Sequence, residues 1–220
     1  RQEWVESSLS DLEQEEPDDL MMHPLRLALE VQSLMNQNDW LVIDGGNTHF
    51  WSEIAVNMAG AQGKQLAGIL HPGSFSMLGV GVSFGLAAKL NHPKDRVVVI
   101  SGDGAFLSGG LSIEAAFQEN VPITVVIDNN GGLTTISQQQ ERLFADERHV
   151  ATDFRDIPFH TMFEGMGGHG ELVEKPEDLK AALERALSSG KTACVNVRTR
   201  SAISPIVLAT TSKRDKASIE

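Results

Sequence analysis

The sequence has a single cysteine, no long apolar run and few basic residues. Cys194 has no partner for an internal disulfide, and the apolar stretch around it predicts a buried, unreactive thiol. The lack of disulfides favours a reducing, cytoplasmic location. A transmembrane helix needs about 20 consecutive apolar residues. No run approaches that length, so we expect no contact with a membrane.

Basic residues are outnumbered by acidic ones, 18 against 30, and the net charge is -12. Residues 1–20 hold eight of the acidic side chains and a single basic one, Arg1. Because a chain this acidic repels phosphate backbones, we expect no nucleic acid as a partner. We interpret residues 1–20 as a solvated acidic linker or arm.

The length of 220 residues suits one domain, which we assign to residues 21–200. Residues 201–220 show little periodicity and are predicted to form a tail or lid. The polar start of the chain lacks the apolar core of a signal peptide. Because the chain begins at Arg1 rather than at a methionine, we expect a fragment or a processed subunit.

Short apolar runs alternate with helical patterns through most of the domain. Strands are predicted at residues 40–43, 65–70, 96–101, 123–128 and 192–199. Helices are predicted at residues 23–38, 48–58, 79–90, 111–120, 158–166 and 176–189, and a glycine turn at Gly167, Gly168 and Gly170. Two of the strand runs are apolar on both faces, which is typical of a parallel sheet. The alternation predicts an α/β fold with a mostly parallel sheet and helices on both faces.

In such sheets, ligands bind at the carboxyl ends of the strands. Four polar or glycine-rich segments are predicted to lie there, at residues 44–47, 76–79, 102–104 and 129–132. The first segment reads DGGN and does not match the Gly-x-Gly-x-x-Gly turn of a dinucleotide site. We therefore expect the functional residues in these segments, and no dinucleotide site after the first strand.

Two motifs, SGDGAF at residues 101–106 and NNGG at residues 129–132, each follow a predicted buried strand. Asp103 offers a carboxylate oxygen, Asn130 an amide oxygen and Gly132 a backbone carbonyl. Three oxygen ligands leave room on an octahedral Mg²⁺ for phosphate oxygens and water. The alternative is a pair of Asp- and Asn-rich turns in some other α/β protein.

The residues around Asp103 also suit an anionic ligand. Gly102 and Gly104 allow the backbone to approach phosphate groups closely. The backbone amides near Ala105 and Phe106 are predicted to open a helix, and a helix N-terminus attracts anions. The pattern therefore predicts a metal ion that bridges the protein and a phosphorylated ligand.

The GDG motif, followed by NN after fewer than thirty residues, resembles the signature of thiamine-diphosphate enzymes. The resemblance extends over residues 40–199 and is to the pyrophosphate-binding domain of the decarboxylase, acetolactate synthase and 2-hydroxyacyl-CoA lyase group. It implies thiamine diphosphate and Mg²⁺ as cofactors. The metal ligands that it implies are Asp103, Asn130 and the Gly132 carbonyl.

The same resemblance implies roles for two further segments. Gly46, Asn47 and Thr48 would contact the diphosphate, although helix capping is the alternative for Asn47 and Thr48. Residues 76–79 match the turn that contacts the cofactor's pyrimidine ring. There Leu78 would wedge beneath the cofactor and bend it into a V, and the Ser76 carbonyl would bond the aminopyrimidine. Plain core packing is the alternative for Leu78.

Enzymes of this group activate the cofactor with a glutamate on a separate, pyrimidine-binding domain. The length of the chain leaves no room for that domain. The resemblance therefore implies that the activating glutamate comes from a partner subunit or from another part of the enzyme. We expect a hetero-oligomer in which the cofactor lies at an interface.

The activity implied is that of a lyase or decarboxylase that cleaves or forms a carbon–carbon bond next to a carbonyl. Residues 80–84 and the NNGG ending resemble the 2-hydroxyacyl-CoA lyase branch, whereas Gly104 and Ser112 depart from it. The substrate is expected to be a small molecule or an acyl-CoA. An acetolactate-synthase-like carboligase is the runner-up within the family.

Two hypotheses fall outside catalysis by this family. One is a non-catalytic nucleotide-binding or regulatory α/β subunit, which the absence of a dinucleotide turn after the first strand disfavours. The second is a family member that binds the cofactor only as a structural element. An assay of thiamine diphosphate binding distinguishes the lyase hypothesis from the regulatory-subunit hypothesis. An assay of turnover distinguishes it from the hypothesis of a purely structural cofactor.

Three further features have weaker interpretations. Residues 134–144 resemble the flexible segment that closes over the cofactor, with a solvated polar helix as the alternative. Among the histidines, His71 is the best candidate for an acid–base role, although a structural or solvent-exposed role is favoured. No zinc-binding spacing of His and Cys is present.

The basic residues Arg198, Arg200, Lys213, Arg214 and Lys216 suit the phosphates of CoA, with a disordered charged tail as the favoured alternative.

Overall fold

The computed structural model describes residues 21–143, 148–204 and 207–208, and its centre is a six-stranded sheet. The strands are β1 (Trp40–Ile43), β2 (Gly68–Leu70), β3 (Val97–Gly102), β4 (Thr124–Asn129), β5 (His169–Val173) and β6 (Ala193–Arg198). Their order is β2-β1-β3-β4-β6-β5, and every neighbouring pair is parallel. The predicted α/β class with a parallel sheet is therefore confirmed.

Helices connect the strands. The α-helices of the described residues are α1 (Pro24–Leu34), α2 (Asn47–Ala61), α3 (Gly81–Asn91), α4 (Asp103–Gly109), α5 (Glu114–Gln118), α6 (Thr134–Leu143), α7 (Phe159–Gly165) and α8 (Leu179–Ser188). Short 3₁₀ turns lie at Gly73–Phe75, Gly110–Ile113 and Pro176–Asp178. None of these helices has the length and apolar character that a bilayer crossing requires.

The sheet separates two apolar cores. Val98 and Ile100 of β3 pack with residues of α1 and α8 on one face. Val97 and Val99 of the same strand pack with residues of α3, α5 and α7 on the other face. Successive side chains of a strand point to opposite faces, so a strand with helices on both sides must be apolar at every position. This explains the continuous apolar runs in the sequence.

Two elements differ from the sequence-based expectation. The predicted glycine turn at residues 167–170 runs into β5, which pairs with β6 at the edge of the described sheet. Only glycine fits at position 170 of this strand, because a Cβ there would lie 2.5 Å from the His160 carbonyl oxygen. The helix predicted to open near Ala105 and Phe106 is α4, and it begins earlier, at Asp103 directly after β3, although this glycine-rich stretch has little helical propensity.

The start of the predicted C-terminal tail packs against the domain. The Ala202 carbonyl accepts hydrogen bonds from Asn47 Nδ2 at 2.8 Å and from Trp51 Nε1 at 3.3 Å, both on α2. Gln138 Nε2 of α6 donates to Ser201 Oγ at 2.8 Å. Residues 201–204 therefore contact two helices, and most of the rest of the tail lies outside the described residues, as does the predicted acidic arm at residues 1–20.

Cys194 is buried in β6, as predicted. Burial raises the pKa of its thiol well above the ordinary value, because the thiolate would be desolvated. The thiol is therefore protonated and unreactive at neutral pH.

His23 caps helix α1 in its neutral form. The side chain is only 1% exposed, and its Nδ1 accepts the Leu25 backbone N–H at 3.0 Å. Its ring packs edge-to-face with Trp51 at a centroid distance of 4.7 Å. Burial, with a smaller contribution from the Arg200 charge, lowers the pKa of His23 from 6.5 to about 4. Protonation would place a charge in the core and remove the cap acceptor.

We expect the free energy of unfolding to fall as the pH drops from 6.5 towards about 4. In this window the unfolded chain takes up a proton on His23 and the folded chain does not, so acid favours unfolding. The pKa difference corresponds to about 3 kcal/mol. Urea denaturation at a series of pH values should show this loss in the wild type. His23→Asn keeps a cap acceptor without the titration; if its stability declined equally steeply, His23 would not be the cause.

Candidate functional site

A cavity of about 260 Å³ opens at the carboxyl ends of β1, β3 and β4. We call it the strand-end cavity. The predicted site residues that line it are Gly46, Asn47, Thr48, Ser76, Leu78, Gly102, Asp103, Gly104, Ala105, Asn130 and Gly132. The structure thus brings together residues from all four segments that the sequence assigns to this edge of the sheet. Phe106 is not among the lining residues, because its side chain is buried in the core beside Phe159 and Phe163. The role predicted at this position belongs to the backbone amide, which the position of the side chain does not test.

Asp103 occupies the first position of α4 and is 2% exposed. Its Oδ1 accepts the Gly104 N–H at 2.7 Å, and its Oδ2 accepts the N–H groups of Gly131 and Gly132, each at 2.9 Å. Burial raises the pKa of Asp103 to about 7, against the opposing effect of these hydrogen bonds, and the nearby Asp128 charge adds to the rise. A cation beside this carboxylate would offset the cost of burying its charge.

Asn130 faces the same cavity with an unused acceptor. Its Oδ1 is buried and has no hydrogen-bond partner among the described residues. A buried amide oxygen without a partner is costly in a native protein, and a bound ion is a recognised explanation. The Asp103 carboxylate and the Asn130 amide therefore form an oxygen donor set that fits Mg²⁺.

The backbone around Gly132 is held in a tight turn. Gly132 adopts a φ of +157°, and a Cβ there would come within 2.3 Å of the Thr152 carbonyl oxygen, so only glycine fits. Its own carbonyl accepts the Thr134 N–H at 2.9 Å. A carbonyl oxygen has two lone pairs, so the predicted metal-ligand role is compatible with this hydrogen bond.

Asp128, near the carboxyl end of β4, is a buried residue whose role the sequence analysis missed. Its carboxylate accepts hydrogen bonds from Thr48 Oγ1 at 2.6 Å and from Thr199 Oγ1. Burial raises the pKa of Asp128, and the two threonine hydroxyls oppose the rise. Asp128 thereby links the start of α2 to β4 and to the residue after β6. A charged residue that ends an otherwise apolar run was the available signal.

Asp44 makes a second unforeseen link. Its Oδ1 accepts the N–H groups of Gly45 at 2.8 Å, Gly79 at 2.9 Å and Val80 at 3.2 Å. Its Oδ2 accepts a hydrogen bond from the Ser101 hydroxyl at 3.0 Å. One buried carboxylate therefore connects the end of β1, the end of β3 and the segment that carries Leu78.

Leu78 is half-buried and lines the strand-end cavity. Its Cδ2 lies 3.2 Å from the position that a Cβ on Gly46 would take. Ser76, two residues earlier, adopts the left-handed conformation with a φ of +46°. This conformation and the hydrogen bonds of Gly79 and Val80 to Asp44 hold the segment against the end of β1. In this position Leu78 forms part of the cavity wall.

Asn47 and Thr48 do not cap α2. The N-cap is Gly46, which has no side chain that could cap the helix. Asn47 Nδ2 donates to Ala202 and Thr48 Oγ1 to Asp128, so the capping alternative is wrong. Asn47 Oδ1 is buried without a partner in the described part of the chain.

The predicted closing segment at residues 134–144 is the helix α6, apart from Phe144, which lies outside the described residues. Thr134, Thr135 and Ile136 of its first turn line the strand-end cavity. Gln138 is buried, so α6 is only partly solvated. His71 does not line this cavity, and Asp103 is the one carboxylate among the described residues that do. The described residues that line the cavity therefore include one carboxylate and no histidine.

The fold and this donor set define an α/β domain that can hold a phosphorylated cofactor through a divalent cation. A protein-family model, "Thiamine pyrophosphate enzyme, C-terminal TPP binding domain", matches residues 44–197. The chain belongs to this family and is a domain of a thiamine-diphosphate-dependent enzyme. Its cofactors are thiamine diphosphate, which is the same compound as thiamine pyrophosphate, and Mg²⁺.

Relatives come from both branches that the sequence resembles. The chain is 35% identical over 199 residues to a probable acetolactate synthase of Mycobacterium bovis, an alignment of 89% of this chain and 35% of the relative. It is 30% identical over 174 residues to 2-hydroxyacyl-CoA lyase 2 of Mus musculus, covering 79% of this chain and 26% of the relative. The chain thus spans about a third or less of the length of these relatives.

A substitution of Gly45 tests the backbone contact that positions the Leu78 segment. A Cβ on Gly45 would lie 2.5 Å from the carbonyl oxygens of both Ser76 and Met77, so Gly45→Ala must displace that segment. We expect a loss of cofactor affinity of about tenfold or more, since backbone and side chain both move. Calorimetric titration with thiamine diphosphate and Mg²⁺ measures this affinity.

Gly60→Ala is the matched control, because no atom of the described residues lies within 4 Å of the Cβ that it adds. This variant should keep the wild-type affinity and gain a few tenths of a kcal/mol or more in stability, since alanine favours a helix over glycine. Equal affinities for Gly45→Ala and Gly60→Ala would argue against a positioning role for the Gly45 contact.

Proposed function

We propose that this chain forms the diphosphate- and Mg²⁺-binding half of the active site of a thiamine-diphosphate-dependent lyase or decarboxylase. Its reaction would cleave or form a carbon–carbon bond next to a carbonyl. The observation that carries the proposal is the pairing of the buried Asp103 carboxylate with the Asn130 amide oxygen, which has no partner among the described residues, in one cavity. When bound, the cofactor supplies an electron sink for the electrons of the broken bond.

In this proposal the metal is held by Asp103, Asn130 and the Gly132 carbonyl. Gly102 and Gly104 leave space for the phosphates, because neither carries a side chain into the cavity that it lines. The opposite wall would contact the diphosphate through Gly46, Asn47 and Thr48. The backbone amides near Ala105 and Phe106 would complete the anion site.

Leu78 would support the cofactor from below and hold it bent, while the Ser76 carbonyl would bond the aminopyrimidine. The support is the position of both residues in the cavity wall and the anchoring of their segment by Asp44. A rigid segment can hold a ligand in a bent conformation only if its own backbone is fixed. Asp44 is therefore assigned a positioning role.

A partner domain or subunit would bring the activating glutamate. No glutamate lines the strand-end cavity among the described residues. Apolar side chains are exposed on adjoining segments, with Phe75 92% and Met77 60% exposed, and Leu107 and Leu111 also exposed. The segment that carries Phe75 and Met77 contacts the segment that carries Leu107 and Leu111 where Gly109 packs on Gly79. We infer that this surface receives the pyrimidine-binding domain, because exposed apolar patches beside a site are typical of interfaces.

Within the family, a 2-hydroxyacyl-CoA lyase-like activity is the first choice, and an acyl-CoA the corresponding substrate. The acetolactate-synthase-like carboligase is the second candidate, and the 35% identity to a probable acetolactate synthase over 89% of this chain favours it. Of the basic residues proposed for CoA, Arg198 forms an ion pair with Asp156. Lys213, Arg214 and Lys216 lie outside the described residues.

Asp103→Asn tests the metal site. The variant keeps an oxygen that accepts the Gly131 and Gly132 N–H groups but loses the charge that attracts Mg²⁺. We expect Mg²⁺-dependent binding of thiamine diphosphate to weaken at least about a hundredfold, as for the loss of an anionic metal ligand. Isothermal titration calorimetry on the assembled enzyme measures this affinity.

Asp178→Asn serves as the control, because Asp178 is an exposed carboxylate in a 3₁₀ turn and does not line the cavity. Its affinity for the cofactor should equal that of the wild type. Tight, Mg²⁺-dependent binding by a folded Asp103→Asn variant would refute the proposed metal site.

Leu78→Ala tests the bend. In the enzyme assembled with its partner domain, turnover should fall about tenfold or more while cofactor affinity changes much less, since the diphosphate contacts remain. Leu78→Met, of similar volume, should restore most of the turnover. Equal losses of turnover and affinity in Leu78→Ala would contradict the role of a support.

A further inference from the structure

A cluster of side chains that could ligate a metal ion lies away from the strand-end cavity. It consists of His49 and Glu53 on α2 and His71 just after β2. One ligand atom from each residue lies within 4.8 Å of the others. None of the three lines the strand-end cavity, so the cluster is separate from the proposed Mg²⁺ ligands.

The fold explains why these residues meet. His49 and Glu53 are four residues apart on α2 and therefore share one face of the helix. His49 Nε2 lies 3.0 Å from Glu53 Oε1. β2 pairs in parallel with β1, and His71 is the first residue after β2. The ring of His71 lies at a centroid distance of 5.4 Å from the ring of His49.

The cluster has both a fixed and an accessible side. His49 is buried, and its Nδ1 has no hydrogen-bond partner in the described part of the chain. Glu53 and His71 line a separate cavity of about 260 Å³ beside Ile43 and Ile69. A cation can therefore reach the cluster from solvent and find a buried imidazole behind two accessible ligands.

We propose that His49, Glu53 and His71 bind a divalent transition-metal ion of the Zn²⁺ type. Two imidazoles and one carboxylate are ligands that Zn²⁺ prefers, whereas Mg²⁺ prefers oxygen ligands alone. In tetrahedral Zn²⁺ sites the ligand atoms lie about 3.3 Å apart. The ligand atoms lie within 4.8 Å of one another, so binding would require rotation of the accessible Glu53 and His71 side chains to bring them closer.

Such an ion would connect the two walls of the strand-end cavity. His49 follows Thr48 directly, and His71 precedes the 3₁₀ turn Gly73–Phe75 that leads to Ser76. Binding would tie the start of α2 to that segment. The metal site itself does not depend on the proposed enzymatic function, because none of its ligands belongs to the cofactor site.

The test is titration of the untagged chain with Zn²⁺, and with Co²⁺ as a spectroscopic probe, in excess Mg²⁺ and without thiamine diphosphate. We expect one high-affinity equivalent and a Co²⁺ absorption spectrum typical of imidazole ligation. His71→Ala and Glu53→Gln should each weaken Zn²⁺ binding at least about tenfold. Both residues have accessible side chains, so the variants should fold, which circular dichroism verifies.

His92→Ala is the matched control, since His92 is an exposed histidine outside the cluster. It should bind Zn²⁺ as the wild type does. The proposal is overturned if the wild type binds no Zn²⁺ under these conditions. It is also overturned if His71→Ala and Glu53→Gln bind Zn²⁺ as tightly as His92→Ala, because the His49–Glu53 contact would then be an ordinary hydrogen bond.

Discussion

Three buried carboxylates hold the carboxyl ends of the central strands in register with the loops that follow them. Asp44 connects the ends of β1 and β3 with the Leu78 segment, and Asp128 connects β4 with α2 through Thr48. Asp103 draws the Gly131–Gly132 turn towards the start of α4. Burying a carboxylate is costly unless it is hydrogen-bonded, and each of the three receives at least two hydrogen bonds. The geometry of the strand-end cavity depends on these contacts.

The cavity offers most of what a cation-bridged diphosphate requires and little of what acid–base catalysis requires. Asp103 and Asn130 provide oxygen donors, and glycines provide space. No glutamate or histidine lines the cavity among the described residues. The family model that matches the chain is that of a C-terminal domain that binds thiamine pyrophosphate. The proposed partner domain would complete the site at the exposed surface around Phe75.

Much of the fold was predictable, because buried parallel strands need apolar side chains on both faces and so produce recognisable runs. β1, β3, β4 and β6 were predicted within a few residues of their observed bounds. β5 was not, because an edge strand with a glycine in contact with α7 has no such run. The start of helix α4 was predicted near Ala105 and Phe106 but is observed at Asp103, because glycines obscure the helical propensity of this stretch. Most of the residues that line the cavity were predicted, from motifs at strand ends and from the family resemblance, but Phe50 and Leu133 were not. The hydrogen bonds of Asp44 and Asp128 were not predicted either, since most of their partners are distant in sequence.

The sequence alone determined the fold class, the family resemblance and the placement of Asp103 and Asn130 at one edge of the sheet, because these follow from local patterns and from the rule that parallel strand ends share an edge. Only the tertiary structure decided which polar atoms are satisfied and which are not. Among the described residues it left Asn130 Oδ1 without a partner, assigned Phe106 to the core, and brought His49, Glu53 and His71 together. The reason is physical: hydrogen bonding, burial and ligand geometry depend on distances between segments, and spacing along the chain does not specify those distances.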